Sequence, residues 1–200
     1  MPENDNHQIR LVALLGSVRP GNNTAKALAL VVDEVRKSAG VSIEVIDPAK
    51  MDLPLPGQGA SADAKNMQDA VTAADGVILA TPEYHGSFSS VTKLLIDNLG
   101  FPSSLSGKPI ALLGVAAGGI GAIKALEHLR SVASHVGGIV LPGPVSVARV
   151  NSVFDADGNC LDAGLEKMIR GVAIHLVHYI ENHICPRYAL EAMVRQAAAA

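Results

Sequence analysis

The sequence predicts a three-layer α/β fold: a doubly wound parallel sheet of five strands in the order 2-1-3-4-5, with helices on both faces. Three observations predict it. Short apolar runs alternate with stretches of helical period along the chain. The runs are apolar throughout rather than at every second residue, as strands covered on both faces require. Polar or glycine-rich loops follow the first, third and fourth runs, where an open α/β sheet presents its ligand loops.

The elements follow in order. Ile9–Leu15 is the first strand, and Ala25–Lys37 a helix with Ala25, Leu28, Ala29, Val32 and Val35 on one face. Val41–Ile46 is the second strand, stopped by Asp47-Pro48. Residues 51–60 hold Pro54, Pro56, Gly57 and Gly59, too many breakers for regular structure. A helix is expected around 63–74, a third strand at Gly76–Ala80, a polar turn over 81–87 and a helix at 89–99. Ile110–Val115 is the fourth strand, after which Gly118-Gly119 opens a helix ending near Val136. The fifth strand is short, Ile139–Leu141, with β-rich residues continuing to Val147. Leu161, Leu165, Met168, Val172, Leu176, Ile180 and Ile184 then predict a helix of about six turns, ended by Cys185-Pro186.

Composition bounds the function. The chain has 200 residues, 48% hydrophobic and 18% charged, enough for a sizeable core and too apolar for a disordered chain. No linker or repeat divides it, so one domain is expected over 9–195, behind a disordered tail at 1–8. A net charge of −3 with no basic stripe argues against nucleic acid and membrane surfaces as partners. No apolar run reaches the ~18 residues of a membrane span, and the first residues are polar, unlike a signal peptide. A cytoplasmic location is expected. Cys160 and Cys185 have no metal-like spacing, and a structural disulfide is not expected.

Residues 16–24, Gly-Ser-Val-Arg-Pro-Gly-Asn-Asn-Thr, join the first strand to the first helix. Helix N-termini attract anions through their unpaired N–H groups and dipole. This loop adds two hydroxyls, two amides and Arg19. Gly16-x4-Gly21 begins like a nucleotide-triphosphate loop, but Asn22 stands in place of the lysine, and Val18 breaks the dinucleotide fingerprint. A terminal phosphate monoester suits what remains; an ordinary strand-to-helix turn, capped by Asn23 or Thr24, is the competing reading.

The loop after the third strand, Thr81-Pro82-Glu83-Tyr84-His85-Gly86-Ser87, gathers a carboxylate, an aromatic, an imidazole and hydroxyls. The loop after the fourth, Ala116-Ala117-Gly118-Gly119, would let a flat ring approach the backbone. A planar, phosphorylated cofactor accounts for all three loops. Together, Gly16-Ser17-Val18-Arg19, the 81–87 motif and Lys93 with Asp97 resemble the NADPH-dependent FMN reductase family, which includes quinone, azo-dye and chromate reductases on a flavodoxin-like fold. The resemblance covers roughly residues 9–147. It implies FMN as cofactor and NADPH or NADH as co-substrate. It also implies that Ser17, Arg19, Asn23 and Thr24 hold the FMN phosphate. Asn22 joins them, in the place where the commoner pattern has serine. Pro82, Glu83, Tyr84, His85, Gly86 and Ser87 would line the ring and ribityl chain, with Gly118 and Gly119 across from them.

The resemblance further implies a homodimer or homotetramer, with the helix of Lys93 and Asp97 in the subunit contacts. The expected activity is hydride transfer from NAD(P)H through FMN to a small acceptor by ping-pong turnover, with no catalytic side chain. The alternative is a non-enzymatic flavodoxin-like module for electron transfer or regulation. A single aromatic near the site, Tyr84, and the modest charge favour the enzyme. His175, His178 and His183 lack the carboxylate or cysteine of a good metal site and read as a helix flank. Asp155-Ala156-Asp157-Gly158-Asn159 reads as a surface turn rather than a calcium loop.

Overall fold

The structure, a computed structural model, describes residues 8–199. The tail expected to be disordered lies, apart from Gln8, outside the described residues. The strands are β1 (Ile9–Leu15), β2 (Val41–Ile46), β3 (Gly76–Tyr84), β4 (Ser87–Phe88), β5 (Pro109–Val115), β6 (Ile139–Val140) and β7 (Val145–Val147). The helices are α1 (Asn23–Arg36), α2 (Ala62–Ala73), α3 (Ser90–Asp97), α4 (Ile123–His135), α5 (Ala163–Tyr179) and α6 (Cys185–Ala199). The main sheet is parallel and runs β2-β1-β3-β5-β6, with β7 also on β5. The predicted doubly wound order therefore holds, its fifth position shared by two short strands.

β1 shows why the sheet needs two layers of helices. Ile9, Leu11, Ala13 and Leu15 join the core beneath α1 and α5, with Leu28, Val31, Ile169 and Leu176. Val12 and Leu14 face the opposite core, with Met67, Val71, Leu95 and Leu129 of α2, α3 and α4. Alternate side chains leave opposite faces of a strand, so a strand apolar at nearly every position must be covered twice. Among the described residues, no helix is long and apolar enough to cross a membrane.

Four expectations are corrected. First, the third strand does not stop at Ala80. Thr81 and Pro82 still pair with Gly114 and Val115, and Glu83-Tyr84 folds back on Ser87-Phe88 as a hairpin. Its two turn residues, His85 and Gly86, have φ of 51° and 77°, the left-handed pair that a tight hairpin requires. Second, the fifth strand is interrupted: Ile139–Val140 pairs with Pro109–Ile110, and Val145–Val147 with Leu113–Val115. The segment between them contains Pro142 and Pro144, which have no N–H for the ladder. Third, α4 begins at Ile123 rather than at Gly118, because Gly121 turns at φ 79° with Ser146 Oγ where a Cβ would be. Fourth, Cys185-Pro186 does not end the last helix. A π-turn at Ile180–Ile184, with Cys185 N–H donating to Ile180 O, leads into α6. Pro186 then falls in a first turn, where its missing N–H is tolerated.

Candidate functional site

A cavity of about 290 Å³ opens at the carboxyl ends of β1, β3 and β5, where the order of the sheet reverses. Its walls are residues 17 and 19–24 after β1, Pro82–Tyr84 of β3, Val115–Ala117 of β5, and Val150 and Asn151 beyond β7.

The β1–α1 loop is held by its own side chains. Gly16 N–H donates to Ala80 O at 2.7 Å, so the loop leaves β1 pressed against β3. A Cβ at Gly16 would sit 2.0 Å from Thr92 Oγ1 and 2.7 Å from Ala80 O, which is why glycine stands there. Asn22 is the N-cap: its Oδ1 accepts from Ala25 N–H and its Nδ2 donates to Arg19 O, both at 2.7 Å. The cap thus falls one residue before the positions expected, and α1 starts at Asn23. Asn23 Nδ2 donates to Asn151 Oδ1 at 3.1 Å, tying the loop to the segment after β7. No acidic residue occupies the first turn of α1, so the positive end of its dipole stays uncompensated. The Arg19 side chain is exposed, with no hydrogen bond or ion pair among the described residues. Ser17 is buried, and its Oγ has no hydrogen-bond partner among the described residues.

A buried hydroxyl cluster beneath this loop fixes its position. Ser89 Oγ donates to Gly16 O at 2.5 Å, Thr92 Oγ1 to Thr81 Oγ1 at 2.9 Å, and Thr81 Oγ1 to Pro82 O at 3.0 Å. Ser89 N–H donates to Thr81 Oγ1, and Thr92 N–H to Ser89 Oγ, which caps α3. The loop after β1, the end of β3 and the start of α3 are thereby one hydrogen-bonded unit. The sequence reading did not identify this cluster; two hydroxyls at the start of α3, Ser89 and Thr92, were its signal.

On the opposite wall, Glu83 Oε2 accepts from Ala125 N–H at 3.2 Å. Helix α4 has no capping side chain of its own, since Ala122 stands at its N-cap; Ser146 Oγ takes the Ala122 N–H at 2.8 Å. Glu83 therefore serves as a charged cap on α4. Tyr84 is 41% exposed and is the one aromatic lining the cavity.

Of the expected site residues, Ser17, Arg19, Asn22, Asn23, Thr24, Pro82, Glu83 and Tyr84 converge on the cavity. His85, Gly86 and Ser87 stand outside its walls on the hairpin, where Ser87 Oγ and His128 Nδ1 lie 3.1 Å apart. Gly118 and Gly119 follow Ala117 on an exposed loop. Val150 and Asn151 were not expected; the rule that ligands bind at strand ends, extended to the fifth strand, would have found them. Among the described residues, no group of three or more His, Cys, Asp or Glu side chains is placed to hold a metal ion.

The chain is similar to known proteins in both sequence and fold. Residues 9–152 match the family model described as NADPH-dependent FMN reductase. The chain is 32% identical to the NAD(P)H-dependent FMN reductase PA1204 of Pseudomonas aeruginosa over 81% of this chain and 90% of that protein. It is 28% identical to the FMN-dependent NADPH-azoreductase of Staphylococcus aureus, over 84% and 94% respectively. Among solved structures, the flavoenzyme NAD(P)H:(acceptor) oxidoreductase FerB of Paracoccus denitrificans shares the fold. Its TM-score is 0.75 at 23% identity, covering 88% of this chain and 98% of that one.

Proposed function

The chain belongs to the NADPH-dependent FMN reductase family, and from that membership we propose an FMN-dependent NAD(P)H oxidoreductase acting on a small electron acceptor. Quinones, free flavins, azo compounds and metal oxyanions are the candidate acceptors. The two substrates use one site in turn, giving ping-pong kinetics. Residues 9–195 work as one FMN-binding domain, in the cytoplasm.

The observation that carries this reading is Ser17. A buried hydroxyl without a partner costs about 1–3 kcal/mol, and a bound phosphate oxygen offsets that cost. The surrounding donors fit the same group: the Arg19 guanidinium, the N–H groups opening α1 at Asn23 and Thr24, and Asn22 shaping the loop that presents them. Ala116 and Ala117 are small enough for a planar ring to approach the opposite wall. Pro82, Glu83 and Tyr84 would line the ring, and His85, Gly86, Ser87, Gly118 and Gly119 would extend the contact beyond the cavity.

When bound, FMN supplies the redox chemistry, accepting hydride from NAD(P)H and passing electrons on. The protein's residues bind and orient. Glu83 holds the start of α4 against the site, the hydroxyl cluster fixes the loop, and no side chain acts as nucleophile. The proposed assembly is a homodimer or homotetramer with α3, which carries the Lys93–Asp97 pair at 2.6 Å, in the contact; light scattering measures it.

The test is an FMN titration of the apoprotein. Wild type binds one FMN per chain and bleaches on anaerobic addition of NADPH. Arg19→Ala keeps the fold and weakens FMN about 10- to 100-fold, the value of a charge-assisted hydrogen bond. A wild-type protein that does not take up FMN refutes the reading.

A further inference from the structure

The border of the cavity carries more positive charge than one phosphate uses. Arg19 lines it, Arg149 directly precedes two wall residues and Lys124 packs beside Gly86 of the hairpin; none of the three has a hydrogen bond or ion pair from the side chain among the described residues. Arg19 belongs to the loop already assigned. Lys124, whose stem passes 3.7 Å from the Cβ position of Gly86, is a single charge on a flexible chain.

Arg149 is different in kind. It is one of two non-glycine residues among the described residues with positive φ, at φ 47° and ψ 39°. An arginine gains nothing locally from that conformation. Its backbone is nevertheless pinned: the N–H donates to Gly118 O at 3.1 Å, and the carbonyl accepts from Ser152 N–H and Ser152 Oγ at 3.0 Å each. Its guanidinium lies against Gly119, with Nε and Nη2 both 3.5 Å from where a Cβ would be. The next two residues, Val150 and Asn151, are cavity wall. A planar fork of five donors is thus held, unneutralised and exposed, where the wall meets solvent.

Such a fork matches a phosphate monoester bidentately. The phosphate of FMN has its own donors at the start of α1. A cavity of about 290 Å³ is at the small end for ligands and too small to enclose a dinucleotide, which leaves the adenosine half of one along the rim. NADPH differs from NADH only by a 2′-phosphate monoester on that half. We propose that Arg149 binds the 2′-phosphate of NADPH and sets the preference for NADPH over NADH. This rests on the FMN reductase reading above.

The experiment uses FMN-loaded wild type, Arg149→Asn and Arg149→Lys. Asparagine tolerates the left-handed conformation, so the loop survives the change. Two readouts are taken: calorimetric binding of 2′,5′-ADP against 5′-ADP, which involves no redox step, and kcat/KM for the two coenzymes. Arg149→Asn is expected to lower 2′,5′-ADP affinity and the NADPH-to-NADH ratio of kcat/KM by about 10- to 100-fold, through KM. Arg149→Lys recovers part of the loss, and FMN affinity holds in both variants. Equal loss for both coenzymes would place Arg149 on the shared pyrophosphate and overturn the proposal. So would a drop in FMN affinity of the same size, or a wild type that binds 5′-ADP as well as 2′,5′-ADP. A wild type that takes up FMN yet fails to discriminate refutes this inference alone; one that takes up no FMN refutes the reading beneath it.

Discussion

At the scale of single residues, the site is a set of groups left incomplete by folding. Ser17→Ala removes the unpartnered buried hydroxyl. Unfolding by urea should show an apoprotein as stable as wild type, or slightly more so, while FMN affinity falls about 10- to 100-fold, the range of one hydrogen bond to a charged group. Loss of stability without loss of affinity would mean that Ser17 has a structural task. Gly16→Ala should act in the opposite way. The new methyl meets Thr92 Oγ1 at 2.0 Å and Ala80 O at 2.7 Å, a destabilisation of about 1–3 kcal/mol by overpacking. Replacing Thr92 by alanine in the same chain should recover only part of it, since the backbone carbonyl stays; denaturant midpoints of the single and double variants measure this. Much of this scale was legible. Eight of the thirteen residues expected at the site line the cavity, because the loops after buried parallel strands gather at one end of the sheet. The cap at Asn22 was misplaced by one position, because three polar residues in a row, Asn22-Asn23-Thr24, offer several oxygens and only backbone geometry chooses among them.

At the scale of elements, local signals and tertiary ones part company. The helices were legible from their period and the strands from their apolar runs. The tip of β3 was not, because Thr81-Pro82-Glu83-Tyr84 has no strand pattern and is extended only by pairing with β5 and β4. The interruption of the fifth strand was written locally, in Pro142 and Pro144, whereas the π-turn before α6 has no signal in the helical period on either side of it. One inter-element link gives a pH prediction. Arg170 of α5 bonds to Asp33 of α1, and this bond, helped by Lys37, holds the Asp33 carboxyl below its ordinary value. Glu34 is lowered too, chiefly by its bond to Lys37. A carboxyl with a depressed folded pKa stabilises the fold above its unfolded value, about pH 4, and loses that contribution as pH falls through the folded value. The stability difference between wild type and Arg170→Met should therefore be present at pH 7 and shrink below about pH 4. A difference that is constant from pH 7 to pH 2.5 in urea unfolding would show that Arg170 acts through its packing alone.

At the scale of the whole molecule, the loops after β1, β3 and β5 converge on one end of the sheet, the first two tied together by the buried hydroxyls. Binding to the native state alone must then appear as stability. Free FMN at 100 times its dissociation constant should add about 2.7 kcal/mol, or roughly 5–10 °C in Tm for a chain of this length. A thermal melt of the apoprotein unmoved by excess FMN contradicts the assignment. The architecture was legible almost entirely, since apolar strands alternating with helices demand a parallel sheet covered on both faces; what sequence could not supply was which distant residues meet, as Asn23 meets Asn151 and Gly119 meets Arg149. The split fifth strand has a last consequence. It forms one margin of the sheet, where an intact strand would offer an unbroken row of N–H and C=O groups to any extended peptide. Two- and three-residue pieces on either side of Pro142 and Pro144 cannot template such an addition. The flank beside the cofactor end is thereby closed to strand-by-strand growth into aggregates, and substituting the two prolines by β-branched residues would open it.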